Sequence, residues 1–64
     1  MLKDSRDIYR RLEKDGWVVS SVGGSHHVFK KPGMRDNISL PHPKKDLPPG
    51  TVRGIYKTAG WPKD

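Results

Sequence analysis

The chain has 64 residues and no cysteine, and 13 Lys and Arg against seven Asp and Glu give it a formal net charge of +6. This length allows one domain with one small core, and the lack of cysteine excludes a disulfide framework and a thiolate zinc site. The first ten residues are too charged for a signal peptide, and no run approaches the roughly 18 apolar residues of a membrane span. We therefore expect a single soluble domain over residues 1–64, located in the cytoplasm.

The excess of positive charge predicts a polyanionic partner, of which nucleic acid is the first candidate. Two alternatives remain open at this stage: the charge only confers solubility, or it binds an acidic protein. A role at a membrane surface is disfavoured, because no long helix combines a basic face with a broad apolar one.

The first predicted element is a helix from about Arg6 to Asp15, with Ser5 as its N-cap and Gly16 as its end. Charged residues occupy most of this segment, and its apolar residues form one narrow stripe: Ile8, Tyr9 and Leu12. One side of the helix should therefore dock on an apolar surface.

Three extended segments follow the helix. Trp17 to Val22 (WVVSSV) and His26 to Lys31 (HHVFKK) flank a glycine pair and are rich in aromatic and β-branched residues, which predicts a β-hairpin. Asn37 to Pro41 (NISLP) alternates apolar with polar residues, which predicts a third strand. The three strands are expected to form an antiparallel meander.

The C-terminal part predicts a stiff connector and a second helix. Pro41 to Gly50 (PHPKKDLPPG) contains too many prolines for a helix or an inner strand. From Pro49 to about Ala59 the apolar residues recur at helical spacing, and Gly60 can end the helix. The chain is therefore predicted to be an α+β protein of order α-β-β-β-α, with both helices on one face of a three-stranded antiparallel sheet and the other face exposed.

The adjacent histidines His26 and His27 are the first candidates for chemistry. Side chains alternate across a strand, so the face that carries Phe29, the only phenylalanine, should lie under the helices. This reasoning predicts that His27 is a half-buried, hydrogen-bonded residue at the core margin and that His26 is exposed, on the same face as Lys30. His42, between two prolines, is interpreted as a turn residue that fixes the connector.

Because His26 and His27 point in opposite directions, they cannot bind one metal ion together. The carboxylates are scattered and cysteine is absent, so neither a structural zinc site nor a two-metal nuclease site is indicated, and we expect no metal and no cofactor. Two interpretations of His26 remain: a residue that only contacts phosphate or water, and a general base. RNA favours the second, because its 2′-hydroxyl is an internal nucleophile that needs only a base and nearby cations.

Three blocks of the sequence match one known family in order and spacing: LEKDGW (residues 12–17), GSHHVF (residues 24–29) and LPHPKKDLPPGTVRGIYKTAG (residues 40–60). In these blocks the chain resembles the HicA toxins, small mRNA interferases of bacterial and archaeal toxin–antitoxin systems. The resemblance implies a fold like that of double-stranded-RNA-binding domains, cleavage of mRNA that inhibits translation and growth, and a catalytic role for His26. It also implies a HicB antitoxin, typically acidic, that covers or perturbs this histidine.

The other predicted site residues are contacts to RNA: Gly24, Ser25, Lys30, Lys44 and Lys45. The glycine pair allows close approach of a backbone, and lysines can pair with phosphates. A second hypothesis, a non-catalytic RNA-binding module on the same scaffold, stays open. Only the enzyme requires an ionisable imidazole at position 26. The expected partners are thus mRNA and a HicB-like antitoxin, without a membrane or a small-molecule cofactor.

Overall fold

The computed structural model describes all 64 residues. Its elements, in chain order, are α1 (Ser5–Lys14), β1 (Val18–Gly23), β2 (His26–Lys30), β3 (Ile38–Pro41) and α2 (Pro49–Ala59). The strands form one antiparallel sheet in the order β1-β2-β3. The predicted α-β-β-β-α order is confirmed, and β2 is the central strand.

Both helices pack on one face of the sheet. The core is continuous through the two layers and draws on α1, the strands, the connector and α2; its members are Ile8, Leu12, Trp17, Phe29, Ile38, Leu40, Leu47, Val52, Ile55 and Tyr56. Within the sheet, Phe29 pairs with Ile38, and both are at most 2% exposed. The face of β2 that carries Phe29 is therefore the covered face, as predicted.

The N-cap of α1 is Asp4, and the prediction that Ser5 caps this helix is wrong. The Asp4 carboxylate accepts a hydrogen bond from the main-chain N–H of Arg6 at 2.9 Å, which satisfies a free donor of the first turn. Ser5 is the first helical residue and is fully buried. Its hydroxyl is unavailable for capping because it bonds the connector that follows β3.

Each helix is followed closely by a glycine and then a tryptophan. Gly16 and Gly60 have φ of +93° and +76°, a conformation that glycine adopts without strain. The next residue then donates its main-chain N–H back into the last turn, Trp17 to Leu12 and Trp61 to Tyr56. These two helix ends place both indoles beside the core.

The first hairpin contains a β-bulge that the sequence pattern did not predict. The register between β1 and β2 shifts between Val19 and Ser21, which leaves Ser20 as the extra residue. Val19 pairs with Phe29 before the shift, and Val22 pairs with His27 after it. Because paired residues share a face, the bulge keeps both valines on the helix side of the sheet.

Candidate functional site at the first hairpin

His26 follows a two-residue turn and begins the central strand. Gly24 and Ser25 connect β1 to β2, and Gly24 has a φ of +55°, which suits glycine at the first position of a tight hairpin turn. His26 pairs with Gly23 on one side and with Pro41 on the other. The turn residues and His26 are all exposed. Because neither glycine has a side chain, a polymer backbone can approach the imidazole from the side of β1.

The two adjacent histidines lie in different surroundings. His26 is exposed, whereas His27 is half-buried and shares its face with Phe29. The predicted opposite orientation of the pair is confirmed. The imidazole of His26 is therefore the more exposed of the two.

His27 belongs to an aromatic cluster between the sheet and α1. Its ring centroid lies 5.7 Å from that of Tyr9 and 5.0 Å from that of His42, with both ring pairs near perpendicular. The Nδ1 atom of His27 is buried and has no hydrogen-bond partner. The predicted half-burial is therefore confirmed, but the predicted hydrogen bond is wrong at Nδ1: the ring packs against the rings of Tyr9 and His42, and Nδ1 has no partner.

His42 connects three parts of the site. Its Nδ1 lies 2.8 Å from the Ser5 hydroxyl, and its main-chain N–H donates to the carbonyl of Ser25 at 2.7 Å. Its ring packs on Tyr9 with the centroids 5.1 Å apart. The predicted role of His42 in fixing the connector is confirmed, and its bond to the hairpin turn is a contact that sequence reasoning missed. No three residues of the metal-ligating types come together anywhere in the protein.

The predicted RNA-contacting lysines divide between the two ends of the sheet. Lys44 makes two hydrogen bonds with Ser5: its carbonyl accepts the main-chain N–H of Ser5 at 2.9 Å, and its own N–H donates to the Ser5 hydroxyl at 2.8 Å. Lys45 lies near Asp4, whose carboxyl has a pKa that is lowered first by hydrogen bonds from Arg6 and also by the charge of Lys45. Both lysines are exposed and follow Pro41, the partner of His26. Lys30 lies at the other end of β2, roughly 13 Å along the strand at about 3.3 Å per residue. The structure brings Lys44 and Lys45, but not Lys30, to the end of the sheet where His26 lies.

Two arginines of α1 extend the basic surface at this end. Arg6 and Arg10 line a shallow cavity of about 220 Å³ together with Tyr9 and His42. Arg6 pairs with the N-cap Asp4 at 2.8 Å, and Arg10 pairs with Asp7 of the same helix at 2.6 Å. The pKa of the Asp4 carboxyl is lowered to about 2, and the largest contribution comes from the hydrogen bond with the Arg6 side chain. Sequence reasoning missed this cavity. Two arginines about one helical turn apart, with a tyrosine between them, could have indicated a basic surface with an aromatic ring.

The fold and the site define a small basic α+β protein of the double-stranded-RNA-binding-domain-like class, with an exposed histidine after a glycine-rich turn. The family model described as HicA toxin of bacterial toxin-antitoxin matches residues 5–61, a range that includes all five elements. The chain belongs to the HicA toxin family.

A solved structure supports the same family. In the HicA3 and HicB3 toxin-antitoxin complex, one chain is 34% identical to this one and superposes with a TM-score of 0.82, covering 95% of this chain and 98% of that chain. No curated protein matches the sequence. Neither helix of the protein has the length and apolarity needed to cross a membrane.

Proposed function

We propose that this HicA-family protein is a metal-independent endoribonuclease, a toxin that cleaves mRNA with His26 as its catalytic residue. The observation that carries the proposal is the exposed imidazole of His26, which directly follows the Gly24–Ser25 turn in a protein with a net charge of +6. The family match adds independent support, because it extends over the same turn and histidine.

In the proposed reaction, His26 removes the proton of a ribose 2′-hydroxyl. The 2′-oxygen then attacks the adjacent phosphorus, and the bond from phosphorus to the 5′-oxygen breaks. The 5′-oxygen leaves with a proton from the imidazolium or from water, so the products are a 2′,3′-cyclic phosphate and a 5′-hydroxyl. No external nucleophile is needed, and a positioned general base contributes about 10²–10⁴-fold to such a step.

The basic residues near His26 would hold the RNA. Lys44 and Lys45 supply positive charge at the same end of the sheet, where they would pair with phosphates and balance the charge that develops in the reaction. The cavity beside His42 combines an aromatic ring with two guanidinium groups, a combination suited to the bases and phosphates of a single strand. Gly24 and Ser25 would contact the RNA backbone through their own main chain.

We further propose that an acidic HicB-type antitoxin inhibits the toxin by covering the first hairpin. The relative in the solved complex is bound to HicB3. The positive charge of this chain favours an acidic partner, and Val22, 59% exposed beside the turn, would give that partner an apolar contact. Such binding would keep RNA away from His26.

The test is incubation of the purified protein with an RNA transcript and with DNA of the same sequence, with and without EDTA. We expect the RNA to be cut in both conditions, the DNA to stay intact, and a single 2′-deoxy substitution at a cut site to block cleavage there. Loss of activity in EDTA that a specific divalent ion restores would contradict the mechanism. Binding of RNA without cleavage would support the alternative, a non-catalytic RNA-binding module.

A further inference from the structure

A series of hydrogen bonds joins the first turn of α1 to the residue directly before His26. The Ser5 hydroxyl bonds His42 Nδ1 at 2.8 Å, and the main-chain N–H of His42 donates to the Ser25 carbonyl at 2.7 Å. Ser5 is itself fixed, because it is fully buried and its hydroxyl accepts the main-chain N–H of Lys44 at 2.8 Å. A buried residue of α1 is thus connected to the hairpin turn through one histidine.

Apart from the pairing of Gly23 with His26, the turn before His26 has few contacts that could hold it. Gly23 and Gly24 have no side chains, and a Cβ at either position would meet no atom within 4 Å. Prolines at 41 and 43 lack an N–H, so His42 has the only main-chain donor in residues 41–43, and that donor bonds the turn. This bond lies one residue beyond the paired ends of β2 and β3, where a strand pair would otherwise fray.

The hydroxyl of Ser5 determines which nitrogen of neutral His42 carries the proton. A serine hydroxyl has one hydrogen to donate. Its oxygen accepts the Lys44 N–H, and Nδ1 of His42 is the acceptor within reach of its hydrogen. Neutral His42 therefore accepts at Nδ1 and carries its proton on Nε2. Removing the acceptor would leave a buried hydroxyl hydrogen unpaired, which is unfavourable.

We propose that Ser5 and His42 are positioning residues, which hold the Gly24–Ser25 turn so that the imidazole of His26 meets the 2′-hydroxyl of the substrate. This inference rests on the proposed ribonuclease function. It predicts an effect on kcat more than on KM, because a displacement of about 1 Å at a reacting group can lower the rate about 10²-fold. In His42→Phe, the hydrogen bonds between Ser5 and Lys44 would remain.

Three variants separate the hydrogen bond from the packing of the ring. His42→Phe keeps a ring against Tyr9 and removes the acceptor, whereas His42→Asn removes the ring and keeps an acceptor, Oδ1, where Nδ1 was. Ser5→Ala removes the donor to His42 and also the acceptor of the Lys44 main-chain N–H. We expect kcat to fall about 10-fold or more in Ser5→Ala and His42→Phe with a smaller change in KM, and His42→Asn to lose less kcat than His42→Phe.

The double variant Ser5→Ala/His42→Phe provides a further test. Because both substitutions break the same bond, its kcat should be no lower than that of the worse single variant. The inference is overturned if Ser5→Ala and His42→Phe are folded and retain the wild-type kcat. It is also overturned if His42→Asn loses as much activity as His42→Phe, or if activity falls only in proportion to the folded fraction.

Amide hydrogen exchange of His42 tests the same inference without RNA. We expect this N–H to exchange faster in Ser5→Ala and His42→Phe than in the wild type and His42→Asn, while amides at the other end of the β2–β3 pair are unchanged. If the wild type does not cleave RNA, or if His26→Ala cleaves as well as the wild type, the proposed function fails. The exchange data still decide whether Ser5 and His42 hold the turn, and an unchanged His42 exchange rate means that they do not.

Discussion

At the scale of single residues, His26 and His27 follow each other on β2, yet one imidazole is exposed and the other lies against Tyr9 and His42. An exposed strand residue contributes little to stability, so the fold does not require a particular side chain at position 26 and a catalytic residue can occupy it. A ring inside an aromatic cluster contributes mainly through packing. The two positions should therefore respond differently to the same substitution.

His26→Ala is expected to reduce RNA cleavage about 10²–10⁴-fold and to leave the melting temperature nearly unchanged, because it removes an exposed general base. His27→Ala should retain much of the activity of folded molecules but lose roughly 1–2 kcal/mol of stability, because its ring contacts disappear. Single-turnover cleavage and thermal melting of both variants measure these effects. If His26→Ala were active while His27→Ala were folded but inactive, the catalytic role would belong to His27 and the proposed assignment would be wrong.

The unpaired Nδ1 atom of His27 gives a second residue-scale prediction. A buried polar atom without a partner destabilises the folded state, and an apolar group of similar shape removes that penalty. His27→Phe should therefore be at least as stable as the wild type in thermal melting, in contrast to His27→Ala. A melting temperature as low as that of His27→Ala would show that His27 makes a polar interaction that matters.

At the scale of elements, the end of α1 is linked to the segments that follow α2 and β2. The Asp15 carboxylate accepts hydrogen bonds from the indoles of Trp17 and Trp61, at 3.3 and 3.2 Å, and lies 3.6 Å from the Lys31 ammonium. The pKa of the Asp15 carboxyl is lowered, mainly by the hydrogen bond from the Trp61 indole. The charge of Lys31 lowers it as well. One carboxylate thus connects three separate segments.

This carboxylate predicts a pH-dependent contribution to stability. Because the pKa of Asp15 is lower in the folded than in the unfolded protein, its contribution is complete above the unfolded value of about 3.9 and is lost as the pH falls through the folded value. Asp15→Asn keeps an acceptor but cannot ionise, so thermal melting should show a smaller stability difference from the wild type at low pH than at pH 7. An equal difference at both pH values would mean that the charge of Asp15 is unimportant.

At the scale of the whole molecule, the net charge of +6 is distributed over several surfaces, and only part of it lies near His26. Lys44 and Lys45 lie at the same end of the sheet as His26, whereas Lys57 is exposed in the last turn of α2. RNA binding through Lys44 and Lys45 should release counterions, so the affinity should depend strongly on the salt concentration.

We expect the affinity of the His26→Ala protein for an RNA fragment to fall with salt, with a slope of about −0.7 per phosphate contact in a log–log plot. Lys44→Gln and Lys45→Gln should each reduce the magnitude of this slope, whereas Lys57→Gln, which makes the same change in charge on α2, should not. Fluorescence anisotropy at several salt concentrations measures the slopes. Affinity that is nearly independent of salt, or equal effects from all three substitutions, would contradict the proposed location of the interface.

The sequence by itself determined the order of the five elements, the covered face of β2 and the family. These properties follow from local patterns. An alternation of period two assigns His26 to the exposed face once Phe29 belongs to the core, and glycines after the last helical residues end both helices. Such signals lie within a few residues of the feature that they predict, so they can be read before the fold is known.

Only the tertiary structure decided what surrounds the histidines. Ser5 and His42 are 37 residues apart, and Asp15 and Trp61 are 46 apart, so no local pattern predicts either pair. Ser5 has a suitable side chain for an N-cap, but the connector is close enough to bond its hydroxyl, and the cap is Asp4 instead. The physical reason is that a buried polar group bonds whichever segment packing brings within about 3 Å. The neighbours of that group along the chain do not determine which segment this is.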